Sequence, residues 1–145
     1  MFKHILLPTD GSDLSWRAAE QGIALAKSMG ARVTAFQAVE PFHVFAYDAM
    51  QVEATRGEYL RLSAEQSAQV LGRIETAARS AGVPCDSVST NSEHPYEDIL
   101  KTVADRGCDL IVMASHGRRG VKGMLIGSVT QKVLTHGNVP VLVYR

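Results

Sequence analysis

The chain has 145 residues, 46% hydrophobic and 21% charged, which is enough length for one domain with a sizeable core. Lys plus Arg and Asp plus Glu number 15 each, and the formal net charge of zero argues against nonspecific nucleic-acid binding, which draws on a strong positive field. No run approaches the roughly 18 apolar residues that span a bilayer, and the opening MFKHILLPTDGS is broken at Pro8 and Asp10, unlike a secretory leader, so a cytoplasmic protein without membrane contact is expected.

HILLP (4–8) is an apolar run closed by proline and reads as a buried strand. In DGSD, Ser12 or Asp13 is placed to cap a helix, along which Trp16, Ala19, Ile23 and Ala26 recur at spacings of three and four, with Gly30 as the C-terminal cap. RVTAFQAVE (32–40) is the second strand. Residues 41–54 have no clean period but carry Phe42, Phe45 and Tyr47, which suit packing across helix ends, a lid or a partner surface. A second long helix follows with Leu60, Ala64, Ser67, Leu71, Ile74 and Ala78 on one stripe, stopped by Gly82 and Pro84. CDSVST (85–90) is polar for a strand, which suits a sheet edge.

HPYEDILKTVADRG has Pro95 at the first helical position, Glu97 and Asp98 in the first turn and Gly107 just past the end. Its buried face is expected to be Tyr96, Ile99, Leu100, Val103 and Ala104. DLIVMA (109–114) is apolar almost throughout, the pattern of a central strand covered on both faces. A glycine-rich loop comes next, then a helix from Ser128 to His136 closed by Gly137, and VPVLVYR is the last strand. The alternation predicts an α/β domain, a five-stranded parallel sheet of order 3-2-1-4-5 with helices on both faces, Rossmann-like in architecture.

In such sheets ligands bind beyond the carboxyl ends of the strands where the winding reverses, here between strands one and four. Those strands exit into PTDGS and ASHGRRG, the two most polar, glycine-bearing exits in the chain. Gly117, Gly120, Gly123 and Gly127 let the backbone approach an anion, and Gly127 and Ser128 open a helix whose free N–H groups suit a phosphate. Arg118, Arg119 and Lys122 are close enough to add charge. A flexible solvated turn is the plainer explanation of the same glycines. Neither GxxxxGK[ST] nor GxGxxG is present, so a P-loop nucleotidase and a dinucleotide-dependent dehydrogenase are not supported. Asp10 suits a ribose hydroxyl, a metal or a turn. Ser115 and His116 are merely adjacent, which is not a catalytic geometry. The five histidines form no HxH or HExxH, and Cys85 and Cys108 form no CxxC, so a protein-built metal site and a redox role are not expected.

Over its full length the chain resembles the universal stress protein family, through ILLPTDGS, GCDLIVMASHGRRG, LIGSVTQKVL and VPVLVYR. The resemblance implies the five-stranded fold and, for the nucleotide-binding branch, the motif G-x2-G-x9-G-[ST]. That motif falls on Ala114, Gly117, Gly127 and Ser128, so its first glycine is replaced. It further implies an ATP-binding regulatory module of a stress response, with Mg²⁺ accompanying the nucleotide. Gly117, Gly127 and Ser128 would then contact phosphates, with Val129 in the same turn; Pro8, Thr9 and Asp10 would line the adenosine side. Val39 would meet adenine through its backbone, and Met113 and Ala114 would lie near adenine and ribose. A negative φ at Ala114 would add one methyl and preserve binding, whereas a positive φ would cost about 1 kcal/mol or more. A homodimer through the last strand, Val139 to Tyr144, is also implied; an uncovered apolar edge invites such pairing. A slow ATPase and a nucleotide-free dimeric interaction protein are the alternatives.

Overall fold

Two strands, β1 (His4–Pro8) and β4 (Leu110–Ala114), are buried at every residue. They lie side by side at the centre of a parallel sheet, which is why both runs are nearly free of polar residues. β2 (Arg32–Val39) and β3 (Cys85–Asn91) extend the sheet on one side and β5 (Val141–Tyr144) closes the other, giving the order β3-β2-β1-β4-β5 expected from the sequence. The computed structural model describes residues 1–43, 49–118, 120 and 123–145, with Ala49 and Gln51 described only in their backbone. Phe45, Tyr47, Arg119 and Lys122 therefore lie outside the described residues.

Strand alternation divides the core in two. Ile5, Leu7, Val33, Ala35, Leu110 and Val112 face α1 (Asp13–Met29) and α2 (Ala49–Ala81), which contribute Ala19, Ile23, Ala26, Leu71, Ile74 and Ala78. Leu6, Phe36, Ile111 and Met113 face α3 (Pro95–Arg106) and α4 (Ser128–His136) through Ile99, Val103 and Val133. Ser12 caps α1 by accepting the Ser15 N–H, and Gly30 ends that helix at φ +65°. Trp16 is half-buried, with the Arg73 guanidinium 3.6 Å over its ring.

Three expectations change. α2 begins at Ala49, inside the stretch with no clean period, and Leu60 and Ala64 on its expected apolar stripe are exposed. The 33-residue helix is about 50 Å long, whereas β2 at eight residues spans about 26 Å. Only the second half of the helix can lie on the sheet. Phe42 packs on Tyr59, well inside α2 and not at its end, with ring centroids 5.3 Å apart. On α3, Ala104 is exposed and Thr102 is buried instead, its hydroxyl donating to the Asp98 carbonyl at 2.7 Å. Cys108 is buried as expected of a core thiol, and desolvation pushes both it and Cys85 up to about 11, which keeps both thiols protonated at neutral pH.

Candidate functional site

At the exit of β1, Thr9 is buried; its N–H still donates to the Phe36 carbonyl at 2.8 Å, and its hydroxyl meets the Ser15 hydroxyl at 2.9 Å and accepts the Gly11 N–H at 3.1 Å. Gly11 turns the chain at φ +80°. Asp10 accepts the Ser12 N–H on Oδ1 at 3.0 Å, an Asx turn, and the Arg118 N–H on Oδ2 at 2.6 Å. That second bond crosses from the β1 exit to the β4 exit. It joins the two loops that the sequence places at the winding reversal.

The β4 exit is pinned at its neck. Ser115 extends the ladder to the Tyr144 carbonyl at 2.7 Å, and the Ser115 carbonyl accepts the Gly127 N–H at 2.6 Å. The Thr130 hydroxyl donates to the Ala114 carbonyl at 2.9 Å. α4 therefore starts directly against the end of β4. Gly127 occupies the N-cap position at φ −72°, ψ 162°, and supplies no side-chain cap. The amides of the first turn, from Ser128 and Val129 onward, thus carry the positive end of the helix dipole without an internal acceptor. The segment between the neck residues turns at Gly117, whose carbonyl accepts the Gly120 N–H at 3.1 Å.

Several glycines here are sites of close approach. A Cβ on Gly117 would fall on the Asp10 carboxylate, one on Gly127 would lie 3.1 Å from the His116 Cα, and one on Gly120 2.6 Å from the His116 ring. His116, with Nδ1 3.1 Å from the Ser115 Oγ, is the pillar around which the loop closes. Ser115 is only 1% exposed, so this pair presents no nucleophile to solvent. The Arg118 guanidinium lies over Gly11, with Nη2 2.8 Å from where a Cβ would stand. Of the three cationic candidates it is the one described.

Burial pushes the Asp10 carboxyl up, but hydrogen bonds from Ser12, from the Arg118 backbone and from the Ser15 side chain outweigh that effect and hold it below its ordinary 3.8. A carboxylate with a depressed folded value stabilises the fold above its unfolded value and loses that contribution as pH falls through the folded one. The clamp is therefore expected to hold throughout the neutral and mildly acidic range and to open only below 3.8. NMR titration of the Asp10 carboxyl, followed together with the Arg118 amide, checks this; a midpoint above 3.8 would contradict it.

Asp10, Gly117, Gly127, Ser128 and Val129 are brought to one end of the sheet, with Pro8, Thr9 and Ala114 at the strand ends beside them. No described non-glycine residue has a positive φ, so Ala114 has a negative one and its methyl brings no backbone strain. Met113 points its side chain into the core between the sheet, α3 and α4, leaving only its backbone near the strand end. Val39 needs correction. Its carbonyl accepts the Ser92 N–H at 3.1 Å, so its peptide groups turn toward β3. Successive residues of a strand turn their peptide groups to opposite sides, and Ala38 consequently faces the β1 side, beyond the last ladder pair Pro8–Phe36. In this geometry the peptide groups that face the β1 side, where the backbone contact was expected of Val39, are those of Ala38. A motif in the loop says nothing about that parity; only the register does.

The family model for the universal stress protein family matches residues 1–145. A universal stress protein of Thermus aquaticus is 36% identical over the whole of both chains. The solved structure of a universal stress protein of Methanocaldococcus jannaschii superposes with a TM-score of 0.83 at 28% identity, covering 99% of this chain and 96% of that one. The universal stress protein of Archaeoglobus fulgidus in complex with dAMP has the same fold, with a TM-score of 0.65 at 18% identity over 100% of this chain and 98% of that one. The sheet order, the joined loops at the winding reversal and the end-to-end sequence match agree: the chain belongs to the universal stress protein family.

Proposed function

We propose that this protein binds an adenine nucleotide, ATP with Mg²⁺ foremost, across the ends of β1 and β4, and acts as a nucleotide-regulated module in a stress response. The observation that carries the reading is the uncapped amino end of α4, held at the strand exits by the Ser115–Gly127 bond beside a loop that the Asp10–Arg118 bond ties to β1. Amides of that kind suit phosphate oxygens. Gly117 and Gly127 fit a cradle with no room for a Cβ. Ser128 and Val129 would meet phosphates; Pro8, Thr9, Asp10 and the Ala38 backbone would line the adenosine side, with Ala114 near the ribose. Among the described residues no three His, Cys, Asp or Glu side chains gather to hold a metal, so Mg²⁺ would arrive on the phosphates themselves. The dAMP held by the Archaeoglobus fulgidus protein supports an adenine nucleotide as the ligand class.

Calorimetric titration of nucleotide-free protein with ATP and Mg²⁺ tests the proposal. Micromolar or tighter binding at one nucleotide per subunit is expected, and absence of both heat and competition would overturn it. Ala114→Gly is expected to leave the affinity within about threefold, because the φ is already negative, while lowering stability by about 0.5–1 kcal/mol through backbone entropy. The same reading includes a homodimer through Val139 to Tyr144. β5 is an edge strand, and Leu142 on it is 41% exposed. Sedimentation equilibrium should then give twice the chain mass, shifting to the monomer on Leu142→Lys.

A further inference from the structure

At the opposite end of the sheet a chain of hydrogen-bonding groups crosses three strands. The buried His4 ring sets Nδ1 3.1 Å from the carbonyl oxygen of Arg106, the last residue of α3, and Nε2 2.8 Å from the Thr34 Oγ1. Thr34, with no exposed surface, donates to the Asp86 Oδ1 at 2.5 Å. The other Asp86 oxygen accepts from the Arg106 Nη1 at 2.7 Å, with the Arg32 Nη2 3.4 Å away. Each of the three links from Arg106 to Asp86 needs one proton. The carbonyl and the carboxylate at its ends can only accept; a neutral imidazole brings one proton and a threonine hydroxyl one. Two protons serve three contacts.

The position left short can be identified. A hydroxyl facing a carboxylate makes the strongest of the three bonds, so Thr34 keeps its proton on the Asp86 side and its oxygen accepts from Nε2–H. The deficit then falls between Nδ1 and the Arg106 carbonyl, two acceptors face to face. We propose that His4 is a proton-operated latch: at neutral pH its Nε2–H tautomer leaves the Arg106 carbonyl without a partner on the ring, and uptake of one proton at Nδ1 ties the carboxyl end of α3 to β1. The proton comes from solvent and no bond between heavier atoms changes. The latch is independent of the nucleotide reading.

The charged groups facing the ring are Arg32 on β2, Asp86 on β3 and Asp109 just before β4, whose Oδ1 also accepts the His4 backbone N–H at 3.0 Å. The Arg106 carbonyl faces it from α3. Cys85 and Cys108, with Asp86 among their own charged neighbours, stay protonated throughout. Burial first, then Arg32, holds the imidazole below its ordinary 6.5 against the opposing pull of the Arg106 carbonyl, Asp86 and Asp109. The latch is therefore open at neutral pH and closes on acidification. Because the unfolded chain holds this proton more tightly than the fold does, stability falls as pH drops from 6.5 toward the folded midpoint, then levels off.

Long-range proton–nitrogen NMR on the full chain labelled at histidine reads the tautomer directly. In the native protein His4 is expected as Nε2–H at about pH 8 and to gain its Nδ1 proton with a midpoint below 6.5. In Asp86→Asn the side-chain oxygen stays with Arg106 and its NH₂ turns to Thr34. The hydroxyl then swings to Nε2 and the neutral ring becomes Nδ1–H. Thr34→Val removes the acceptor at Nε2 and is expected to give the same tautomer. Asp86 is partly exposed, so its variant keeps the test available should the buried valine prevent folding. A native ring already Nδ1–H at about pH 8, a midpoint at or above 6.5, or a tautomer unmoved in Asp86→Asn overturns the proposal.

Discussion

Gly117→Ala is expected to weaken ATP binding by at least about tenfold, a loss of about 1.4 kcal/mol or more. Gly117 does not have a positive φ, so alanine suits the backbone and the whole effect is steric. The new methyl would stand 2.0 Å from the Asp10 Oδ2, the same oxygen that accepts the Arg118 N–H at 2.6 Å. Either the carboxylate swings away and the inter-loop bond breaks, or the loop lifts off β1. A hydrogen bond to a charged group contributes about 1.5–3 kcal/mol, so neither route is mild. Gly123→Ala is the control. Its φ of +93° imposes local strain, but its Cβ would meet open space, and ATP affinity should stay within a few-fold of native. Calorimetry on both variants separates the cases. Amide exchange at Arg118 reports the broken clamp even without nucleotide, and native exchange and affinity in Gly117→Ala would show that the Asp10–loop contact plays no part in the site.

Gly22→Ala is expected to destabilise the fold by about 1–3 kcal/mol, the cost of overpacking, although alanine is the better helix former by about 1 kcal/mol. Gly22 lies in α1 against the sheet. A Cβ there would fall on the Leu7 Cδ2 and lie 3.5 Å from the Val112 Cβ. A leucine methyl could rotate away at a surface, but Leu7 is wholly buried and Val112 nearly so. Leu7 lies in β1, the strand that leads into Thr9 and Asp10. Urea denaturation gives the sign: a midpoint above native would mean that propensity outweighs packing here.

The elements were legible because their signals are local. HILLP and DLIVMA are apolar without alternation, which only two-sided burial explains. Proline at position 95 and glycines at positions 30 and 107 bound their helices through backbone preferences. CDSVST reads as an edge because polar residues tolerate one open side. The α2 boundaries were less legible: residues with no apolar face are still helical where the helix leaves the sheet, because no core imposes a period there. At the site, the glycine spacing marked Gly117 and Gly127, but nothing in it distinguished Val39 from Ala38 or showed that His116 supports the loop.

By itself, then, the sequence determined the order of the elements, which strands lie at the centre and which at the edges, and that two glycine-bearing exits meet where the winding reverses. These follow from residue-level preferences and from the handedness of strand crossovers. Tertiary structure decided what depends on register and on side chains distant in sequence. The Asp10–Arg118 bond joins residues 108 positions apart, and His4 meets Thr34 and the Arg106 carbonyl from 30 and 102 positions away. No local pattern encodes such meetings, because strand pairing sets them and a one-residue slip would turn each side chain to the other face.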